Sequence, residues 1–291
     1  MNLLYLTFGD NISNHSQAYF SIYSFLAKEI SPASINVITD KPWYYASIKS
    51  KLNIIEADAA LLNKWRGPYQ FFWRVKLKAI EKICSLYSGS PVLYLDSDTF
   101  FYGGAQDFEK WSESRQAAMF ENEGPLKRLP SKTMKTMSRQ LKNITIAGLS
   151  GLESMEMWNA GVVFTPNQLG GKEMELALKL CDEMCRAQVK DQFVEQFALS
   201  VALAQSYGLE AADGHVAHYW SNKKEWNELI SAFFMENQML GLSFEEQLKR
   251  FRTIDLSTCP VVRISSTTNR RLKQKVDQLW GDKKVEYLMK R

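Results

Sequence analysis

Strand-like and helix-like segments alternate along the first hundred residues of this chain. Four runs rich in apolar and β-branched residues predict strands at 3–8, 35–39, 53–57 and 91–95. Three helix-like segments lie between them, at 16–29, 43–52 and 69–87, and the apolar residues of the third recur three or four apart. Strands that alternate with helices in this way form a mostly parallel sheet covered by helices. We therefore expect an α/β fold.

The fourth predicted strand runs directly into two aspartates that are two residues apart. Leu95 is followed by Asp96, Ser97 and Asp98. Residues i and i+2 of an extended chain point the same way, so both carboxylates would face one side at the strand end. Such a pair suits a hard divalent cation, which can also grip a nucleoside diphosphate. A polar turn after a buried strand is the alternative interpretation.

Other strand ends supply further candidates, because parallel sheets bind ligands beyond the carboxyl ends of their strands. The first two predicted strands end near Thr7, Phe8 and Asp40. Arg74 and Lys78 are four residues apart and share a face near the start of the third predicted helix. Their charges could contact a diphosphate near the strand ends. A basic face exposed to solvent is the alternative.

A pair of small residues stands directly before another apolar strand. Asn159, Ala160 and Gly161 precede the predicted strand Val162–Thr165. Small side chains let a ligand approach the backbone, and an asparagine amide can hydrogen-bond to a hydroxyl. A tight entry into the strand is the alternative reason for the small residues.

The segment 218–226 combines one histidine, two lysines and two tryptophans. Histidine is a good third ligand beside two carboxylates, which makes His218 a candidate metal ligand. Lysine suits a phosphate group, which makes this segment a candidate phosphate contact. A histidine with a structural role is the alternative interpretation.

The regular pattern is lost between residues 121 and 157. Basic residues stand there among Gly, Pro, Ser and Thr, with one short helix predicted near 133–142. A long irregular stretch inside a domain is typical of a lid, a binding loop or an insertion. We expect this segment to hold the acceptor of a reaction or to close over its donor. Two helices, at 172–188 and 191–207, follow the strand after it.

The sequence changes in character after Trp226. Ser243 and Glu246 match a capping box that opens a helix ending near Phe251. A short strand is predicted at 259–264, and apolar spacing predicts a last amphipathic helix that ends at Gly281. We expect a main domain at 1–226 and a mostly helical part at 227–291 that packs on it.

The end of the chain is also basic, which leads to a hypothesis of peripheral membrane contact. Six basic residues alternate with apolar and aromatic ones between 272 and 291. A basic amphipathic helix can lie on an anionic leaflet. The alternative is a helix that packs its apolar stripe on its own domain and leaves its lysines in water.

The overall composition limits the classes of function. A net charge of +4 is too mild to indicate nucleic-acid binding by itself. The four cysteines show no metal-ligand pairing. The first ten residues have no basic leader, and no apolar run is long enough to span a bilayer. We therefore expect a cytoplasmic protein.

Four motifs stand in an order that resembles the family 8 glycosyltransferases, which include glycogenin and bacterial lipopolysaccharide galactosyl- and glucosyltransferases. The motifs are Asp96-Ser97-Asp98 after a strand, Asn159-Ala160-Gly161 before a strand, Asp191-Gln192 opening a helix, and the segment 218–226. The resemblance covers about residues 1–226. Ser221 stands where the family pattern has glycine, and Glu225 stands where it has proline.

The resemblance implies a GT-A fold, which is a Rossmann-like mixed sheet flanked by helices. It also implies transfer of a hexose from a nucleotide sugar, most often a UDP-sugar, to a glycan or glycolipid acceptor with retained anomeric configuration. Asp96, Asp98 and His218 would hold Mn²⁺ or Mg²⁺ against the diphosphate, which Lys224 would also contact. The predicted donor-binding residues are Thr7, Phe8, Asp40, Arg74, Lys78, Ser97, Asn159, Ala160, Gly161 and Lys224.

The resemblance assigns the catalytic positions to Asp191 and Gln192, which would line the sugar with Asn159. A glutamine is a poor nucleophile, so we assign no covalent intermediate to Gln192. Two other functions remain open. A sugar-phosphate nucleotidyltransferase would be expected to carry a glycine-rich basic loop after its first strand, whereas residues 7–11 hold one glycine and no basic residue. A non-catalytic nucleotide-sugar-binding protein could have kept the same fold.

Overall fold

A mixed sheet of seven strands forms the centre of the computed structural model, which describes residues 1–28, 32–189, 193–264 and 284–288. The strands are β1 (Asn2–Thr7), β2 (Ser34–Thr39), β3 (Asn53–Glu56), β4 (Val92–Leu95), β5 (Thr99–Phe101), β6 (Gln116–Met119), β7 (Asn122–Pro125), β8 (Glu156–Trp158), β9 (Val162–Thr165), β10 (Gly208–Ala211), β11 (Val216–His218), β12 (Val262–Ile264) and β13 (Lys284–Glu286). The α-helices are α1 (Ile12–Ala27), α2 (Ala59–Trp65), α3 (Arg74–Leu86), α4 (Gln106–Glu113), α5 (Lys132–Leu141), α6 (Lys172–Arg186), α7 (Val194–Ser206), α8 (Lys223–Met239) and α9 (Phe244–Phe251).

The main sheet has the strand order β10–β6–β9–β4–β1–β2–β3. Strand β9 runs antiparallel to both of its neighbours, and every other pair in this sheet is parallel. Beside it, β11 pairs antiparallel with β5. The predicted α/β fold with a mostly parallel sheet is therefore confirmed.

The strands predicted in the first hundred residues are all present, each within one residue of its predicted ends. The helices differ more. The segment predicted at 43–52 is a 3₁₀ helix, Pro42–Lys51, that is interrupted at Ile48. The helix predicted at 69–87 begins only at Arg74, because Gln70 has a φ of +51° that a right-handed helix cannot contain.

The segment 121–157 is folded, so the prediction of a mostly irregular stretch was wrong. Strands β7 and β8 pair antiparallel at its two ends. Between them, α5 buries Met134, Met137 and Leu141, whose spacing of three and four residues forms an apolar stripe. Ser131 caps this helix by accepting a hydrogen bond from the backbone N–H of Met134. The predicted short helix near 133–142 is thus confirmed, within a packed wall of the domain.

The two faces of the sheet carry separate apolar cores. One core packs residues of α3, α5, α6 and α7, and the other packs residues of α1, α8 and α9. Trp226 is fully buried in the second core against Phe20, Phe100 and Tyr219. Helix α8 therefore crosses the boundary predicted after residue 226 and packs on the main domain. The division into 1–226 and 227–291 stays a prediction.

The C-terminal part follows the sequence prediction where the structure describes it. The capping box of Ser243 and Glu246 opens α9, and β12 falls within the strand predicted at 259–264. The last predicted helix, which ends at Gly281, lies outside the described residues, as does most of the basic segment of the membrane hypothesis. Among the described helices, none has the length and apolar character that crossing a bilayer requires.

Candidate active site

An open cleft of about 700 Å³ lies at the carboxyl ends of β1 and β4. Residues that follow these two strands form its floor, and the start of α3 contributes one side. The residues before β9, the start of α7 and the segment between β7 and α5 complete the lining. This position is where a parallel α/β sheet binds its ligands.

Three potential metal ligands meet in the cleft. Ligand atoms of Asp96, Asp98 and His218 all lie within 4.8 Å of one another. The aspartates connect β4 to β5, and the antiparallel pairing of β11 with β5 places His218 opposite Thr99. Sequence positions more than a hundred residues apart thus converge, in an arrangement of two carboxylates and one imidazole that suits Mn²⁺ or Mg²⁺.

One ring nitrogen of His218 has no hydrogen-bond partner in the part of the chain that the structure describes. Nε2 of His218 lies 3.5 Å from a carboxylate oxygen of Asp98. Nδ1 is buried and has no hydrogen-bond partner among the described residues. A buried polar atom without a partner is costly, and a bound cation would remove that cost if it took this nitrogen as a ligand. The residues present therefore fit a divalent metal.

Asp98 is the more deeply buried of the two aspartates, with 4% of its surface exposed. Burial by itself would raise the pKa of its carboxyl group. His218 and then Lys223 outweigh that effect and hold the pKa of Asp98 well below its ordinary value. Nζ of Lys223 lies 2.8 Å from Asp98. Asp98 is thus a carboxylate in a strongly cationic setting.

A buried lysine anchors the second aspartate. Nζ of Lys76 lies 3.2 Å from Asp96 and 3.3 Å from Glu195. It also donates a hydrogen bond to the backbone oxygen of Ala160. Burial would lower the pKa of Lys76, but Asp96 and Glu195 raise it above its ordinary value. Tyr94 donates a further hydrogen bond of 2.5 Å to Asp96, so this carboxylate is fixed from two sides.

The structure brings most of the predicted residues together. The predicted residues that line the cleft are Thr7, Phe8, Asp96, Ser97, Asp98, Asn159, Ala160, Gly161 and His218. Asp40 lies next to this set: its side chain accepts a hydrogen bond from the backbone N–H of Gly9. Asp191 and Gln192 lie outside the described residues.

Three predicted cations are placed away from the cleft lining. Arg74 makes two hydrogen bonds to Asp182 and donates a third to the backbone oxygen of Trp65. Lys78 forms an ion pair with Glu81. Lys224 is exposed at the start of α8, one position beyond the lysine that lines the cleft. The packing therefore gives Arg74 and Lys78 structural partners.

Several cleft residues were missed in the sequence. Lys76 and Lys223 each have basic neighbours in the sequence, and those neighbours were equally good candidates for a phosphate contact. Glu195 and Gln196 repeat the acid–glutamine pair of 191–192 one helical turn later, and that repetition was the available signal. Glu123 had no recognisable signal, because its position depends on the pairing of β7 with β8.

Ser221 and Glu225, the two positions that depart from the family pattern, both contact Arg263 in the C-terminal part. The hydroxyl oxygen of Ser221 accepts a hydrogen bond from the backbone N–H of Arg263. Glu225 lies 2.9 Å from the guanidinium group of the same arginine. These contacts fix the loop that carries Trp220 and Lys223 toward the cleft.

No protein-family model matches this chain, and no curated protein matches it either. Solved structures resemble its fold. A crystal structure of the galactosyltransferase LgtC with donor and acceptor sugar analogs has a TM-score of 0.55 and 11% identity, over 87% of this chain and 97% of that chain. Apo mouse xyloside xylosyltransferase 1 has a TM-score of 0.45 and 11% identity, over 72% and 85% of the two chains.

A putative glucose-1-phosphate thymidylyltransferase from Bacillus anthracis has a TM-score of 0.42 and 11% identity, over 88% of this chain and 96% of that chain. The likeness to LgtC extends over most of both chains. It confirms the predicted GT-A fold.

Proposed function

We propose that this protein is a metal-dependent glycosyltransferase that moves a hexose from a nucleotide sugar to a hydroxyl of a glycan or glycolipid. The observation that carries the proposal is the convergence of Asp96, Asp98 and His218 at the ligand-binding edge of a GT-A fold. The group lies inside a cleft large enough for a nucleotide sugar.

The charge of the cleft supports a requirement for metal. The charged side chains that line it are the carboxylates of Asp96, Asp98, Glu123 and Glu195 and the ammonium groups of Lys76 and Lys223. Without a cation this lining has two more negative than positive charges, which would repel a diphosphate. A bound Mn²⁺ or Mg²⁺ would neutralise the diphosphate and stabilise it as a leaving group.

The remaining lining residues suggest how the donor would lie. Thr7, Phe8 and Asp40 would surround the nucleoside, for which uridine is the base we propose. Lys223 would contact the diphosphate in place of the predicted Lys224, because its ammonium group already reaches Asp98 in the cleft.

The sugar would lie against the residues that precede β9 and the start of α7. Asn159, Ala160, Glu195 and Gln196 line this part of the cleft, whereas the side-chain space of Gly161 is occupied by the ring of His218. We propose retention of anomeric configuration without a covalent intermediate on Gln192 or Gln196, since an amide is a poor nucleophile. Asp191 and Gln192 stay predicted catalytic residues.

The two alternative functions differ from a glycosyltransferase in what they release from their substrates. A sugar-phosphate nucleotidyltransferase would release pyrophosphate, but the turn after β1 lacks its basic phosphate loop, and Lys41 close by is paired with Asp10. A non-catalytic binding protein would bind nucleotide sugar and release nothing. Incubation of the protein with UDP-glucose or UDP-galactose and Mn²⁺ separates the three, because only a glycosyltransferase releases UDP in step with consumption of the sugar donor.

A further inference from the structure

Glu123 has a carboxylate in the cleft, and neither the proposed metal site nor the proposed donor contacts use it. It is the second residue of β7, it is half-buried, and its side chain lines the cleft. Burial raises the pKa of its carboxyl group, and a hydrogen bond from Asn159 offsets part of that rise. Within the part of the chain that the structure describes, no basic side chain forms an ion pair with it.

The position of this carboxylate is fixed by its neighbours. Oδ1 of Asn159 accepts a hydrogen bond from the backbone N–H of Gly161, which turns Nδ2 toward Glu123 at 3.4 Å. The backbone N–H of Asn159 in turn donates to the oxygen of Glu121, so β7 and the Asn159 loop are held together. The amide of Gln196 approaches the same carboxylate and, like that of Asn159, lowers the pKa of Glu123.

Apolar groups from the same segment line the same cleft as Glu123. The segment that follows β7 contributes Leu129, Pro130 and Met134 to the lining, together with the polar Ser131. Trp220, which is 47% exposed, also lines the cleft. A cleft that offers both a carboxylate and apolar and aromatic surface suits a sugar ring, which has a hydroxyl rim and an apolar C–H face.

We propose that Glu123 accepts a hydrogen bond from a hydroxyl of an acceptor sugar, whose apolar face rests on Leu129 and Pro130. The proposal rests on the proposed function, because it assigns the second substrate of that reaction. A carboxylate that no basic side chain pairs with keeps lone pairs free for further hydrogen bonds, and a sugar hydroxyl can donate one of them. The segment predicted to hold the acceptor thus supplies both the polar anchor and the apolar wall.

The test compares transfer to sugar with transfer to water in the same enzyme. Native protein, Glu123→Gln and Glu123→Ala are assayed with UDP-glucose or UDP-galactose, Mn²⁺ and a set of methyl glucosides and galactosides as acceptor probes. Glu156→Gln is the matched control, because Glu156 lies on the paired strand β8, is exposed and bonds to Asn122 outside the cleft.

We expect Glu123→Ala to lower transfer to methyl glycosides at least tenfold, with a smaller loss in Glu123→Gln, whose amide oxygen still accepts a hydrogen bond. The Kd for UDP in saturating Mn²⁺ should change less than twofold in both, and hydrolysis of the donor should fall much less than transfer. The thermal midpoint should stay level or rise, because each substitution removes a half-buried charge. A purely structural residue would instead lower the midpoint.

Three results would overturn the proposal. Parallel losses of hydrolysis and transfer would assign Glu123 to the donor, and unchanged transfer in both variants would remove it from the acceptor site. Native protein that hydrolyses the donor but transfers to no methyl glycoside would remove sugars as the acceptor class. Failure of the proposed function looks different, because native protein would then neither bind UDP in a metal-dependent way nor hydrolyse the donor.

Discussion

Gly161 and His218 approach each other so closely that no side chain fits between them. A Cβ atom on residue 161 would lie 2.2 Å from Cε1 of the His218 ring, well inside van der Waals contact. The glycine of the Asn-Ala-Gly motif therefore acts on the metal site from outside it. It leaves the space in which the imidazole stands beside Asp98.

Gly161→Ala should weaken metal binding without removing any ligand. The added methyl group must displace His218, and changes around metal ligands typically cost about 10–100-fold in affinity. Isothermal titration calorimetry with Mn²⁺ measures the change in metal affinity. Gly208→Ala is the control, because the Cβ there meets only the end of the flexible Gln116 side chain. Equal Mn²⁺ affinity in native protein and Gly161→Ala would contradict this explanation.

Lys223→Ala should weaken the binding of UDP by about 1.5–3 kcal/mol, the range for a hydrogen bond to a charged group. Lys224→Ala is the matched control, since the exposed neighbouring lysine does not line the cleft. Affinities measured in saturating Mn²⁺ compare the two. A larger loss in Lys224→Ala would restore the assignment made from the sequence, and no loss in either would remove the segment from the diphosphate site.

Lys76→Met should lower the free energy of unfolding by about 3–5 kcal/mol, because it leaves the buried carboxylate of Glu195 and the half-buried one of Asp96 without their cation. Urea unfolding in metal-free buffer isolates this effect from ligand binding. The double variant Lys76→Met with Glu195→Gln should recover part of the loss, since one of the two unpaired charges is gone. Additive losses in the double variant would mean that Lys76 and Glu195 do not interact energetically.

Arg74→Ala should lower stability while leaving the affinity for UDP unchanged. The change removes two hydrogen bonds to Asp182, each partner being mostly shielded from solvent, and a cost of about 1.5–3 kcal/mol is expected. Urea unfolding and calorimetry with UDP provide the two readouts. A loss of UDP affinity with unchanged stability would return Arg74 to the diphosphate site.

Much of the framework could be predicted from local sequence patterns. The strand that ends in Asp96 and Asp98, the small residues before β9 and the histidine after them are each defined by a few adjacent residues. The rule that the carboxyl ends of parallel strands meet at one edge brings together only the residues that follow β1, β2 and β4. The residues before β9 reach the same edge because β9 runs antiparallel to β4. The pairing of β11 with β5, which fixes His218, was not predicted, although the residue was.

The errors arose where one or two positions decide which way a side chain points. Lys76 stands about 200° around α3 from both Arg74 and Lys78, so choosing that basic pair meant missing the buried cation. A difference of one residue likewise separates Lys223 from Lys224. Rotation of a helix about its axis is set by packing, which a single sequence does not contain. The same holds for Glu123, whose place depends on a strand pairing that spans more than thirty residues.

Release of UDP from a UDP-sugar, measured with and without Mn²⁺, tests the central claim most directly. Asp98→Asn is the decisive variant, because it keeps the volume of a buried side chain and removes only the charge that would hold the cation. The account predicts Mn²⁺-dependent release by the native protein and none by Asp98→Asn, with both proteins equally folded by circular dichroism. Undiminished release in excess chelator, or by Asp98→Asn, would contradict it.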